Sequence, residues 1–161
     1  MSSIHSFLSI GALLLLSLIS LRFNSAVLEN STIETENKIY LTAFSLANDV
    51  IEEIKRKAFD VATVNFPVTD PSALTSPYSL GPAYNEKYPY YNDMDDFNGY
   101  TRRISAPHAE NYDVKCSVYY VSEYNQDYKI MMKTFYKRAD VRVTSPYMKN
   151  PIILSFVFTL K

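Results

Sequence analysis

Three carboxylates crowd into four residues at Asp93, Asp95 and Asp96, between Asn92 and Asn98. Oxygen donors at that density are what a hard cation such as calcium accepts. The spacing is not that of an EF-hand loop, because Phe97 stands where a ligand would be needed. The same stretch, DMDDFNGY, also spells a turn. The acids and Asn98-Gly99 would shape the backbone while Phe97 and Tyr100 anchor it in a core. A calcium site at Asp93, Asp95 and Asp96 and a purely structural turn are both open on the sequence, and the turn is the simpler.

No other residues form a chemical constellation. The two histidines, His5 and His108, are far apart, and neither belongs to a triad, a zinc spacing or a phosphate loop. His108, beside Pro107, reads as a surface or turn residue. One cysteine, Cys116, precludes an intramolecular disulfide and falls on the apolar side of a predicted strand, so it is expected buried and inert. Asn30-Ser31-Thr32 matches a glycosylation sequon, a pattern this short being readily met by chance. A net charge of −1 offers nothing to nucleic acid. No catalytic residue, no enzyme activity and no organic cofactor are expected.

The elements that must carry these residues begin with an apolar run. Ile4 to Leu21, IHSFLSIGALLLLSLISL, is long enough for a membrane helix and has no formal charge. A cleaved secretory signal is the alternative, although a basic n-region is missing and the apolar run is long for one. From Ile4 to about Phe59 there is no proline and one glycine, Gly11. Taken as a single helix, that stretch would reach roughly 80–90 Å at 1.5 Å per residue.

Its second part, residues 24–61, is amphipathic. Ile33, Tyr40, Leu41, Phe44, Ala47, Val50, Ile51, Ile54, Ala58 and Val61 step by threes and fours. Early glutamates and a closing Lys55-Arg56-Lys57 suit the helix dipole. The Asn/Ser/Thr-rich stretch 24–32 is the expected weak point.

Residues 62–107 read as a long irregular connection, holding six of the eight prolines. Tyr78, Tyr84, Tyr88, Tyr90, Tyr91, Phe97 and Tyr100 are expected to pack much of it on a core. Residues 108–161 read as antiparallel β. Three apolar faces alternate there: Val114, Cys116, Val118, Tyr120; Phe135, Ala139, Val141, Val143; and Ile152, Leu154, Phe156, Phe158, Leu160. The amphipathic helix is the natural cover for such a sheet. The expected fold is α+β, a long N-terminal helix packed on a C-terminal antiparallel β-sheet.

This layout, apolar then amphipathic helix, irregular loop and C-terminal sheet, resembles the type IV pilin and pseudopilin superfamily across essentially the whole chain. Locally, DMDDFNGY (residues 93–100), YKR (136–138) and VRVTSP (141–146) are similar to minor pilins of the mannose-sensitive hemagglutinin type. The resemblance implies a structural subunit of an extracellular filament, anchored in the inner membrane before assembly and presented at the cell surface afterwards. Its partners would be copies of itself in a helical homopolymer, other pilins, and membrane lipid before assembly.

Residues 1–23 would form the transmembrane and filament-core half of the helix. Ile4, Phe7, Leu8, Ile10, Leu13, Leu14, Leu15, Leu16, Leu18 and Ile19 would pack between subunits there, with Gly11 allowing close approach. The family places an acid four positions after its first aromatic residue. Here that slot is His5 counted from Met1, or Gly11 counted from Phe7, so register guided by that acid is not expected. The alternatives are a minor pilin or secretion pseudopilin, and a membrane-anchored extracytoplasmic binding or adhesion domain that does not polymerise.

Overall fold

A computed structural model describes residues 2–106 and 109–160. His108 and its neighbour Pro107 lie outside the described residues. The chain divides into two compact units, residues 1–38 and 39–161. One α-helix, α1 (Ser2–Ile54), supplies all the described structure of the first unit and the opening of the second.

Within the first unit the stretch 24–32 is helical throughout. Its hydroxyls bond back to the preceding turn: Ser25 Oγ donates to Leu21 O at 2.9 Å and Thr32 Oγ1 to Leu28 O at 3.0 Å. Those bonds satisfy side chains that would otherwise compete with the helix from outside it.

The second unit is the predicted α+β arrangement. Four strands follow in chain order: β1 (Thr101–Ala106), β2 (Ala109–Tyr120), β3 (Tyr136–Thr144) and β4 (Ile152–Thr159). They form one antiparallel sheet in the order β1-β2-β3-β4. The faces on β2 and β3 are as the alternation predicts. Val114, Cys116, Val118, Tyr120, Ala139, Val141 and Val143 are all buried. Cys116 is buried, and desolvation, followed by the nearby Asp140 charge, pushes its thiol up to about 12. A thiol so rarely ionised is inert.

Two expectations need correction. Strand β1 lies inside the predicted irregular connection 62–107. Thr101-Arg102-Arg103 are exposed on this edge, so no apolar alternation announces the strand. The run 128–145 is a strand only from Tyr136; before that the chain is irregular, with a single bridge between Val121 and Lys129.

The helix also ends earlier than residue 61, and its buried face keeps Ala47, Val50, Ile51 and Ile54 of the expected stripe but departs from it before them. After Ile54, three successive N–H groups from Lys55 to Lys57 still bond backwards, and then Ala58 pairs with the aspartate turn. The face against the sheet is Ile39, Ala43, Ala47, Val50, Ile51 and Ile54. Leu41 and Phe44, assigned to that stripe, are exposed at 66% and 48%. The alanines explain the phase. Ala43 and Ala47 are fully buried and bring the helix backbone close to the sheet, where Tyr112 OH donates to Ile39 O at 3.3 Å. Ala47→Leu is therefore expected to cost about 1–3 kcal/mol by overpacking. Leu41→Ala should stay within about 0.5 kcal/mol of wild type. Thermal melts of the two variants check the assignment, and a larger loss from Leu41→Ala would put Leu41 in the core.

Candidate functional site

Two features of the chain invite a functional reading, one in each unit. In the first unit, helix α1 contains a stretch long and apolar enough to cross a membrane. Ile4, Phe7, Leu8, Ile10, Leu13, Leu14, Leu15, Leu16, Leu18 and Ile19 are all exposed, Phe7 by 76%. The stretch has no charge and, apart from His5 and its serines, is apolar, which is the pattern of a segment covered by lipid or by other helices. Gly11 opens a shallow notch bordered by Ile4, Phe7, Leu8, Ala12 and Leu15. A Cβ added there would meet nothing within 4 Å, so the glycine serves no contact inside the chain. By transfer energies of about 1.5–3 kcal/mol for each large side chain, leaving ten of them in water would cost on the order of 20 kcal/mol.

In the second unit the aspartates form the rim of a buried charge cluster. Asp95-Asp96-Phe97 make one turn of 3₁₀-helix, with Phe97 fully buried and Tyr100 nearly so. Gly99 takes φ +84°, a conformation that favours glycine, and Asn98 ties the turn down. Its Oδ1 accepts from Val118 N at 3.1 Å and its Nδ2 donates to Leu80 O at 2.9 Å. Tyr88, Tyr91, Phe97 and Tyr100 stack edge-on or tilted as one aromatic group. Tyr78, Tyr84 and Tyr90 do not join it; they are exposed, Tyr84 at 99%.

All three aspartates are buried. Asp96 Oδ2 accepts from the N–H groups of Asn92 and Asp93 at 3.0 and 3.2 Å, and Asp93 Oδ1 accepts from Asp95 N at 2.7 Å. The positive charge among them belongs to the protein. Lys137, on β3 and fully buried, donates from Nζ to Asp95 Oδ1 at 2.5 Å, Asp60 Oδ2 at 2.7 Å and Phe59 O at 3.1 Å. The Phe59 and Tyr120 rings flank the ammonium, with centroids 4.6 and 5.0 Å away. Calcium would have to compete with this ammonium for Asp95. Among the described residues, no group of three or more His, Cys, Asp or Glu side chains is placed to hold a metal ion.

Asp60 is the best-satisfied member. Oδ1 accepts from Ala62 N and Thr75 Oγ1, each at 3.0 Å, and Oδ2 from Thr75 N at 2.9 Å as well as from Lys137. Burial alone would push its carboxyl up. The Lys137 hydrogen bond and charge, with the Ala62 and Thr75 N–H groups, outweigh this and hold it at about 2. Asp95 goes the other way. Burial, only partly offset by Lys137 and reinforced by the charges of Asp60 and Asp93, lifts it to about 7. Its Oδ2 is buried with no hydrogen-bond partner. Burial and the Asp96 charge lift Asp93 to about 6.

Lys137 and Asp60 were not among the residues the sequence singled out. The signal for Lys137 was present, since it stands in phase with Phe135, Ala139, Val141 and Val143, the inward face of its strand. A lysine on an apolar face requires a buried partner. The two short stretches DMDDFNGY and YKR, far apart in sequence, meet through the contact of Asp95 with Lys137.

These shifts set a pH dependence. Asp93 titrates near 6 in the folded chain against 3.8 ordinarily, so folding takes up a proton between these values. Its contribution is fully present below 3.8 and is lost as pH rises through about 6. The lowered Asp60 contributes above 3.8 and loses this as pH falls through about 2. Stability is thus expected to rise from pH 8 to pH 5, by about 1–1.5 kcal/mol from Asp93, and to fall again in stronger acid. Melting curves across pH for wild type and Asp93→Asn check this; an equal rise in the variant would assign the effect elsewhere.

Comparison with family models, with curated proteins and with solved structures found no match. What fold and site define is an α+β protein whose N-terminal helix is long and apolar enough to cross a membrane.

Proposed function

We propose that this chain is a structural subunit of an extracellular filament of the type IV pilin kind, held in the membrane by residues 1–23 before assembly. The observation that carries this reading is the division of labour along one helix. Residues 39–54 bury a face in the chain's own α+β core, while Ile4 to Leu21 bury nothing within the chain. A segment that only anchored a domain would need the length and the apolarity. The notch at Gly11 adds a reason for helices to approach one another. Packing of such segments in a head-to-tail manner generates an open helical fibre rather than a closed oligomer.

Immunogold electron microscopy of cells producing the full chain tests this. Label running along fibres supports a filament subunit, and label at rare points along fibres supports a minor pilin or pseudopilin. Label confined to the membrane in cells that form fibres would favour the anchored binding domain. In that case exposed Tyr78, Tyr84 and Tyr90 would be its natural contact surface.

A further inference from the structure

The buried cluster holds the three parts of a condensation reaction: an amine, a carboxyl to receive it, and a second carboxylate beside both. We propose that Lys137 Nζ and the Asp95 carboxyl condense to an amide inside the folded chain, with the Asp60 carboxylate carrying the proton. The inference concerns the second unit alone and stands apart from whether the chain forms filaments.

The geometry supplies proximity. Lys137 Nζ lies 2.5 Å from Asp95 Oδ1, which leaves the carboxyl carbon one bond further on. That is within the range of about 3–3.5 Å from which a bound nucleophile attacks. Asp60 Oδ2 lies 2.7 Å from the same nitrogen. Every member is at least nine-tenths buried: Lys137 and Asp60 are fully so, and Asp95 is 2% exposed. Phe59 and Tyr120 close the space around Nζ. A dry site penalises charge, and it favours a product in which an ammonium and a carboxylate have become one neutral amide. Bulk water is not at hand to reverse the step.

The roles follow from the hydrogen bonds. Asp60 has donors on both oxygens, including the Ala62 and Thr75 N–H groups, and is held as the anion. It can accept a proton from the Lys137 ammonium, freeing the lone pair. Asp95 has one oxygen on Lys137 and one with no partner, and burial favours its neutral acid form, the form an amine can attack. Environments that push two carboxyl groups in opposite directions divide base from acid in this way.

The step balances. The Nζ–Cγ bond forms as the nitrogen adds to the Asp95 carboxyl. The proton held by Asp60 then passes to a departing hydroxyl oxygen, the C–O bond breaks, one water leaves, and the second proton on the nitrogen passes to Asp60. An ammonium, the Asp95 acid and the Asp60 carboxylate become an amide, water and the Asp60 acid, with no oxidant, reductant or further co-reactant. The new N–H is left beside Asp60 Oδ2. The product would tie β3 to the aspartate turn covalently in a chain whose single cysteine precludes an internal disulfide.

Peptide mapping of the full chain, purified in detergent, tests the proposal without depending on the N-terminus. Trypsin should release a branched species joining residues 88–102 to residues 134–138, uncut at Lys137 and lighter than the sum of its parts by one water, about 18 Da. Fragmentation should place the link between Lys137 and Asp95. Asp60→Asn should retain both reactants and yield at least tenfold less of the branched peptide, and Lys137→Arg none. Unlinked peptides covering both stretches in the wild type would overturn the proposal, and this reading requires no variant to fold. A link from Lys137 to Asp60 would overturn the assignment of roles. Water loss without a branched peptide would mean a different modification and would overturn it equally.

Discussion

Leu14→Lys is expected to abolish fibres while leaving residues 39–161 folded. Leu14 sits in the middle of the apolar stretch, is 61% exposed, and is not one of the residues that make the core of the second unit. In the membrane, a lysine at the centre of a spanning helix costs about 2.5–3.5 kcal/mol, whereas leucine contributes favourably. In a filament core the same charge would face neighbouring apolar helices, with no counterion among Ile10, Leu13, Leu15 and Leu18. At roughly 3–4 kcal/mol per subunit the loss is more than a hundredfold at each addition step, and it recurs along the fibre. Electron microscopy counts fibres, membrane fractionation reads anchoring, and limited proteolysis with near-ultraviolet dichroism reads the folded tyrosine-rich unit. Leu14→Ile keeps the apolar surface and should assemble. Normal fibre yield from Leu14→Lys would contradict the filament proposal, because the segment would then not be packed between subunits.

How much of this was legible in the residues depends on how local the governing interactions are. The apolar run, the α+β class and the inward faces of β2 and β3 are carried by periodicity within one element, and they are found where that periodicity puts them. The turn at DMDDFNGY was readable for the same reason: Gly99, Asn98 and the two aromatic anchors act within a few residues. The helix phase was readable from Ala47 to Ile54 but not before it. Leu41 and Phe44 are apolar and exposed, and Ala43 is small and fully buried, so ranking by hydrophobicity alone misplaces the stripe there. Close approach of the helix to the sheet decides it, and that is a tertiary quantity. Strand β1 was hidden because an edge strand bearing Arg102 and Arg103 buries little. The charge cluster was hidden most deeply. Asp60 and Lys137 are 77 residues apart, and each makes physical sense only with the other in view.

Relative to the chain in which Lys137 and Asp95 are unlinked, Lys137→Met is expected to destabilise the second unit by about 3–5 kcal/mol, the cost of leaving buried charge without its counterion. Methionine matches the length of the lysine stem and keeps contact with Phe59 and Tyr120, so the loss is one of charge and hydrogen bonds rather than of volume. Three acceptors lose their donor at once: Phe59 O, Asp60 Oδ2 and Asp95 Oδ1. Asp60 retains the N–H groups of Ala62 and Thr75, whereas Asp95, already with an orphaned Oδ2, is left with neither side-chain oxygen partnered. The melting temperature should fall by roughly 10–20 °C. Adding Asp95→Leu to Lys137→Met should recover part of that fall, because an apolar side chain in a dry site costs less than an unpaired carboxyl. Asp60→Leu in its place should recover nothing, because Asp60 also caps the turn at Val61–Thr63 and holds Thr75. The asymmetry between the two double variants, read from thermal melts at pH 7, separates a carboxyl that needs Lys137 from one that holds the loop in its own right. If the two recover equally, Asp60 and Asp95 are interchangeable counterions and the division of roles argued for them is lost.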